Sequence, residues 1–432
     1  MFRFCTLLLL VGAGGNPVVA ASPDPKSLVV PPADIAKARD LVEKLGNDEF
    51  AVREDAEREL AKMGRLARVA LLEAATNDPS TEVRSRCLTL LPKATSLELK
   101  ARLETFLADA DGKYEHDLPG WDGFRSLARN EWSLFGYPVY ANRSLDRAAR
   151  EVFADLLATS ANRQILLAAS GYQPELGGLV ATRRQELYSQ KYPRAVFING
   201  MVTQPGLRRE PTAADITTLL FGESLVPNNV PPRTAPISVL LSASGFMSAA
   251  QNPDDKGKVY RAIAIAWLDS RKDPVDMTYA TTVASSLGLP EHACRIAARI
   301  FEAKGAVVYQ RGNAAAILAR LGNKSHLPLL EKALGESTVL TSIRVNVPGK
   351  PVNEWPVHEV QIRDVALAVS LILSGEKLED YGFTDQYKAN GVGGATYSYT
   401  RYYLTEANRP EALVKFGFWK LKQSLKGVPA AP

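Results

Sequence analysis

A phrase near the start of the chain occurs twice, and this repetition constrains the fold more tightly than composition does. It runs from Val52-Arg53-Glu54-Asp55-Ala56 to Leu60, and again from Val83-Arg84-Ser85-Arg86-Cys87 to Leu91. An Asn-Asp pair precedes each copy, Asn47-Asp48 and Asn77-Asp78. In both frames an arginine is followed three positions on by a small residue and seven positions on by a leucine, a spacing that shares one helix face. Self-similarity at a period of ~30–45 residues marks stacked helical repeats. Such repeats build surfaces rather than chemistry.

The repeat character spreads along the chain unevenly. Asp34 is the expected N-cap of a first helix, with Ile35, Ala38, Leu41, Val42 and Leu45 at helical spacing. Further stripes follow at Val52 to Met63, Leu66 to Leu72, Val83 to Leu91 and Leu99 to Leu107, joined by short turns that imply antiparallel neighbours. From residue 109 to 258 the pattern loosens into amphipathic segments separated by proline-rich connections. It returns after Val259, where Arg311, Ala314 and Leu318 repeat the opening frame; a fourth frame, Arg363 with Ala366, has Ser370 in the leucine position. Between them, Ser342 to His358 alternates apolar and polar residues around Pro348-Gly349 and predicts a short β-hairpin.

These frames resemble the HEAT-like, armadillo-type α-solenoid family, in which the Val-Arg phrase opens the second helix of a repeat and the small residue lets helices approach. The resemblance covers about the first 80 residues after the leader and again Val308 to Gly375. It extends to exported bacterial proteins built from such repeats and transfers no catalytic residue. The expected fold is all-α: an α-solenoid of HEAT-like helix pairs with an irregular helical middle and one hairpin near 342–358. The expected segments are a leader at 1–21, a linker at 22–33, repeats at 34–108, the middle at 109–258, repeats at 259–375 and a tyrosine-rich extension at 376–432. Arg53, Ala56, Arg84, Cys87, Arg311 and Ala314 are expected to be structural.

The leader expectation rests on one positive charge at Arg3, an apolar run from Leu7 to Val11 and a small-residue exit at Val18-Val19-Ala20-Ala21. Gly12, Gly14, Gly15 and Pro17 break the run well short of the roughly 20 residues that cross a bilayer. Export to the periplasm or beyond is therefore expected, with no transmembrane span after cleavage. Cleavage removes Cys5 and leaves Cys87 and Cys294, which in an exported chain could form one bridge, but each lies beside small apolar residues, which favours two separate buried thiols. A formal charge of +5 over 432 residues argues against a general polyanion binder such as a nucleic-acid protein.

Chemistry-bearing clusters are sparse. The histidines at 116, 292, 326 and 358 lack zinc spacing, and no phosphate loop, nucleophile elbow or dinucleotide fingerprint occurs. Asp109-Ala-Asp111-Gly112 starts like a calcium loop, but Lys113, Tyr114 and Gly120 stand where a ligand, a glycine and a glutamate are required. No metal or cofactor is expected. Two patches are candidate interaction surfaces: the arginines Arg183, Arg184, Arg208 and Arg209 with Lys191 and Arg194, for which a solvated helix face is the commoner meaning, and the tyrosines Tyr381, Tyr387, Tyr397, Tyr399, Tyr402 and Tyr403, which a C-terminal loop folded back over the last helix would equally need. The expected function is a non-enzymatic exported scaffold that binds another protein or an envelope component. The alternative is an envelope enzyme with its site at Glu115, His116 and Asp117, joined by the basic residues after Arg183.

Overall fold

A computed structural model describes residues 22–109, 112–130, 143–171, 174–192, 196–198, 201–203, 209–226, 237–241, 245–345, 349–383 and 398–426. The leader expected at 1–21, together with Arg194, Arg208, Tyr387 and Tyr397, lies outside the described residues. The fold is mostly helical and divides into two compact units. One comprises residues up to Leu118 with Ala141–Arg150; the other comprises Pro119–Tyr140 and Glu151 onward.

In the first unit α1 (Pro32–Lys44), α2 (Phe50–Met63), α3 (Arg68–Asn77) and α4 (Thr81–Ala108) pack as two antiparallel pairs, α1 with α2 and α3 with α4. Helix α1 starts two residues before the expected cap. Pro32 takes the first helical position, where a missing N–H costs nothing, and Asp34 falls in the first turn, where its charge meets the positive end of the helix dipole. The core is built largely from small side chains, Ala38, Ala56, Ala67, Ala70, Cys87 and Ala94, filled in by Leu45, Leu60, Leu71 and Val83. Small residues let helix axes approach closely. Gly64, at φ +55, ends α2; a Cβ there would stand 2.9 Å from Cδ1 of Leu97.

Helix α4 is continuous where the sequence stripes imply two helices. Pro92 lies inside it, and Leu88, the residue whose carbonyl the proline ring would crowd, is exposed. The segment expected as a linker is likewise structured. Residues Pro25–Leu28 form a 3-10 turn capped by Asp24, whose carboxylate accepts from the Lys26 N–H at 2.9 Å, and Arg65 donates to the Leu28 carbonyl at 2.9 Å.

The second unit holds α5 (Trp121–Asn130), α6 (Arg143–Leu156, its first part through Arg150 counted with the first unit), α7 (Ser160–Ser170), α8 (Leu176–Lys191) and α9 (Ala213–Leu225). Helices α10 (Ile237–Leu241), α11 (Phe246–Gln251), α12 (Asp255–Ser270), α13 (Pro274–Ser286), α14 (Pro290–Glu302), α15 (Val308–Leu321), α16 (Leu327–Lys332), α17 (Ile362–Ser374) and α18 (Asn408–Lys426) follow. Helix α9 is central: Asp215 to Glu223 are all buried, and α7, α8, α11 and α12 pack around it. Gly222 makes this possible, since a Cβ there would lie 2.7 Å from Val180 and 3.1 Å from Ile165. Trp121, Phe124, Phe153 and Phe221 form a contiguous aromatic core beside it. Helix α17 ends at Gly375 in the left-handed region, with the Glu376 N–H returning to the Leu371 carbonyl.

Two antiparallel hairpins interrupt the helices. The expected one pairs β3 (Val339–Arg344) with β4 (Val357–Gln361). A second, β1 (Val196–Ile198) with β2 (Met201–Thr203), overturns the expectation that strand is confined to 342–358. Its strands are too short to show alternation. Among the described residues, no helix is long and apolar enough to cross a membrane.

Candidate functional site

The three residues of the acidic-histidine cluster do not converge. His116 turns inward, with a side chain 4% exposed, and its Nε2 lies 3.0 Å from Oδ2 of Asp109, which is fully buried. Asp109 also accepts from the backbone N–H groups of Lys113 and Tyr114, at 3.0 and 3.1 Å, and lies 3.4 Å from Nη2 of Arg150. Burial would push its carboxyl up; these hydrogen bonds and the Arg150 charge more than offset that and hold it below the ordinary carboxylate range. The Phe106 ring meets His116 edge-on and carries the Arg150 guanidinium over its face. Asp109 therefore ties down the loop that leaves α4. Glu115 is exposed, and Asp117 points to solvent and pairs with Arg102 at 3.2 Å. His116, Asp117, Glu98 and Arg102 line a cleft of about 160 Å³ together with Pro25, Leu28 and Val29. No group of three or more histidine, cysteine or carboxylate side chains that could hold a metal ion occurs among the described residues.

Of the described residues of the arginine patch, Arg183, Arg184 and Lys191 turn inward. Arg184 is buried and donates to Oε1 of Glu223 at 2.9 Å, while the other Glu223 oxygen accepts from Trp267 Nε1 at 2.7 Å and pairs with Arg271 at 3.4 Å. Arg183 reaches Oδ1 of Asp215 at 2.9 Å, and Lys191 is buried with its Nζ 3.6 Å from Glu210. Burial would raise Asp215, but Arg183 and the Thr212 cap hold it down. These charges are spent on joining α8 and α12 to α9. Arg209 is exposed and donates its backbone N–H to the Gln190 carbonyl.

Most of the described tyrosines of the C-terminal group also pack inward. Tyr402 and Tyr403 are buried, with Tyr403 stacked on His358 at 4.9 Å. Tyr399 lies against Gly312, where a Cβ would come within 2.7 Å of its ring. Tyr381 is buried, and burial together with the neighbouring Glu376 charge pushes its hydroxyl up to about 12, so it stays a hydrogen-bond donor to Glu376.

The repeat arginines have a shared task. Nη1 of Arg53 donates to the carbonyls of Asn47 and Asp48, at 2.7 and 3.0 Å, and Nη1 of Arg84 to those of Asp78 and Pro79, at 2.6 and 3.0 Å. Each binds just past the end of the preceding helix, where carbonyls lack helical partners and the dipole is negative. Arg53 adds an ion pair to Glu82 at 3.1 Å in the next helix pair. Arg311 donates to the Phe301 carbonyl and forks onto Glu336 at 2.6 and 2.8 Å. Ala56, Cys87 and Ala314 are buried at the interfaces. Cys87 and Cys294 are free buried thiols, and burial pushes Cys87 up to about 11. Arg163 makes the same contact, donating to Leu157 and Ala158 at 2.8 and 3.3 Å, without having been singled out by sequence. Its third following residue is Leu166 rather than a small one.

One exposed feature lay outside the sequence expectations. Val275 and Tyr279 at the start of α13, and Val307, Val308 and Tyr309 at the start of α15, are all exposed. Helix α14 packs against both, and Arg320 near the end of α15 donates to Ser285 near the end of α13, so the two helices run in the same direction. The exposed apolar rim at each of these two starts carries one tyrosine hydroxyl. The inner face of each helix is committed elsewhere, through Met277, Ala280 and Ala284 in α13 and Ala314, Ala315 and Leu318 in α15. Rigid rings with polar tips on a solvent face suit protein recognition. No protein-family model matches the chain, and neither a curated protein nor a solved structure matches it.

Proposed function

We propose that this chain is a non-enzymatic, exported helical-repeat binding protein of the HEAT-like kind, and that the rim at the starts of α13 and α15 takes hold of a protein partner. The exposed rim carries the proposal: five large apolar side chains stand in water at the starts of two helices that each bury an inner face. Exposed patches of this kind mark interaction sites. The repeat reading is supported by Arg53, Arg84 and Arg163, which fasten helix starts to the ends of preceding helices in one recurring geometry. The binding reading gains further support from the dispersal of the groups an enzyme would have needed. His116 is committed to Asp109, Arg183 to Asp215 and Arg184 to Glu223.

The test is capture from the envelope fraction with the chain from Ser22 onward as bait. A specific protein should be retained by the unaltered chain and lost on Tyr279→Asp with Tyr309→Asp, whose melting temperature should be unchanged because both positions are exposed. Retention of the same protein set by both baits would refute the rim.

A further inference from the structure

We draw no further inference here: the strongest candidate, the row of exposed apolar side chains Val414, Phe418 and Leu421 on the outer face of α18, carries none because nothing in the structure shows what covers it.

Discussion

The helix pairs of the first unit and the buried charge networks of the second use their arginines in different ways, although Arg163 in the second repeats the turn contact and Arg150 in the first is buried. In the first, Arg53 and Arg84 sit at the margin of the fold on turn carbonyls, and Arg39 and Arg86 bridge neighbouring helices to Glu73 and to Glu54 and Glu57 in partly solvated pairs. In the second, Arg184, Arg271 and Trp267 surround the buried carboxylate of Glu223, and Arg409 forks onto buried Asp364 at 2.7 and 3.1 Å. A solvated pair loses little when one partner is removed, because water takes its place. A buried cation that loses its counterion keeps the full desolvation penalty. The repeats of the first unit are therefore held by alanine-rich contact with charges as trim, whereas the helices around α9 are held in register by charge.

The sharpest way to break this contrast is Glu223→Ala, which strands Arg184 and Arg271. We expect a loss of about 3–5 kcal/mol in chemical denaturation, and a loss below 1 kcal/mol would show that the network is not buried in solution. Next is Ala56→Leu in the first unit, which overfills an interface only 2% exposed at that position and should cost about 1–3 kcal/mol. Arg84→Ala should cost less, about 1 kcal/mol, since it removes hydrogen bonds from carbonyls that water can reach. If Arg84→Ala equalled Glu223→Ala, the two kinds of arginine would not differ.

The smallest effect concerns pH. Glu336 is held below its ordinary range chiefly by the Arg311 hydrogen bond, so its folded pKa lies under its unfolded one. The stability it adds is complete above the unfolded value of about 4.3 and drains away as pH falls through the lower folded value. Arg311→Gln should flatten that part of the melting-temperature profile below about pH 4 and leave the neutral region shifted by a constant amount. An unchanged acid slope would remove Glu336 from the account.

Helices were legible wherever apolar spacing recorded a buried face, as at Ala56 and Leu60 or Ala314 and Leu318, because the same contact fixes both residue type and period. Continuity through Pro92 was not, since a proline reports a local penalty and not the packing that overrides it. The fate of Arg184 was hidden for a related reason: its partner lies 39 residues away, and a run of basic residues looks the same whether it faces water or a buried carboxylate. The tyrosines left both readings open, since an interface and a packed C-terminal segment call for the same residues, and Tyr402 and Tyr403 fill the inside of the second unit. Val275, Tyr279 and Tyr309 left a usable trace, being apolar residues off the core spacing of their own helices.

On the proposed reading, charge is consumed in a structural interior and the exposed apolar rim takes hold of a partner. This reading is tested most directly by measuring partner retention and melting temperature together on Tyr279→Asp with Tyr309→Asp and on Arg84→Ala. The account predicts that the rim variant keeps its melting temperature and loses the partner, while Arg84→Ala melts earlier and still holds the partner below its melting point. A rim variant that melts early, or one that retains the partner as well as the unaltered chain does, would contradict it.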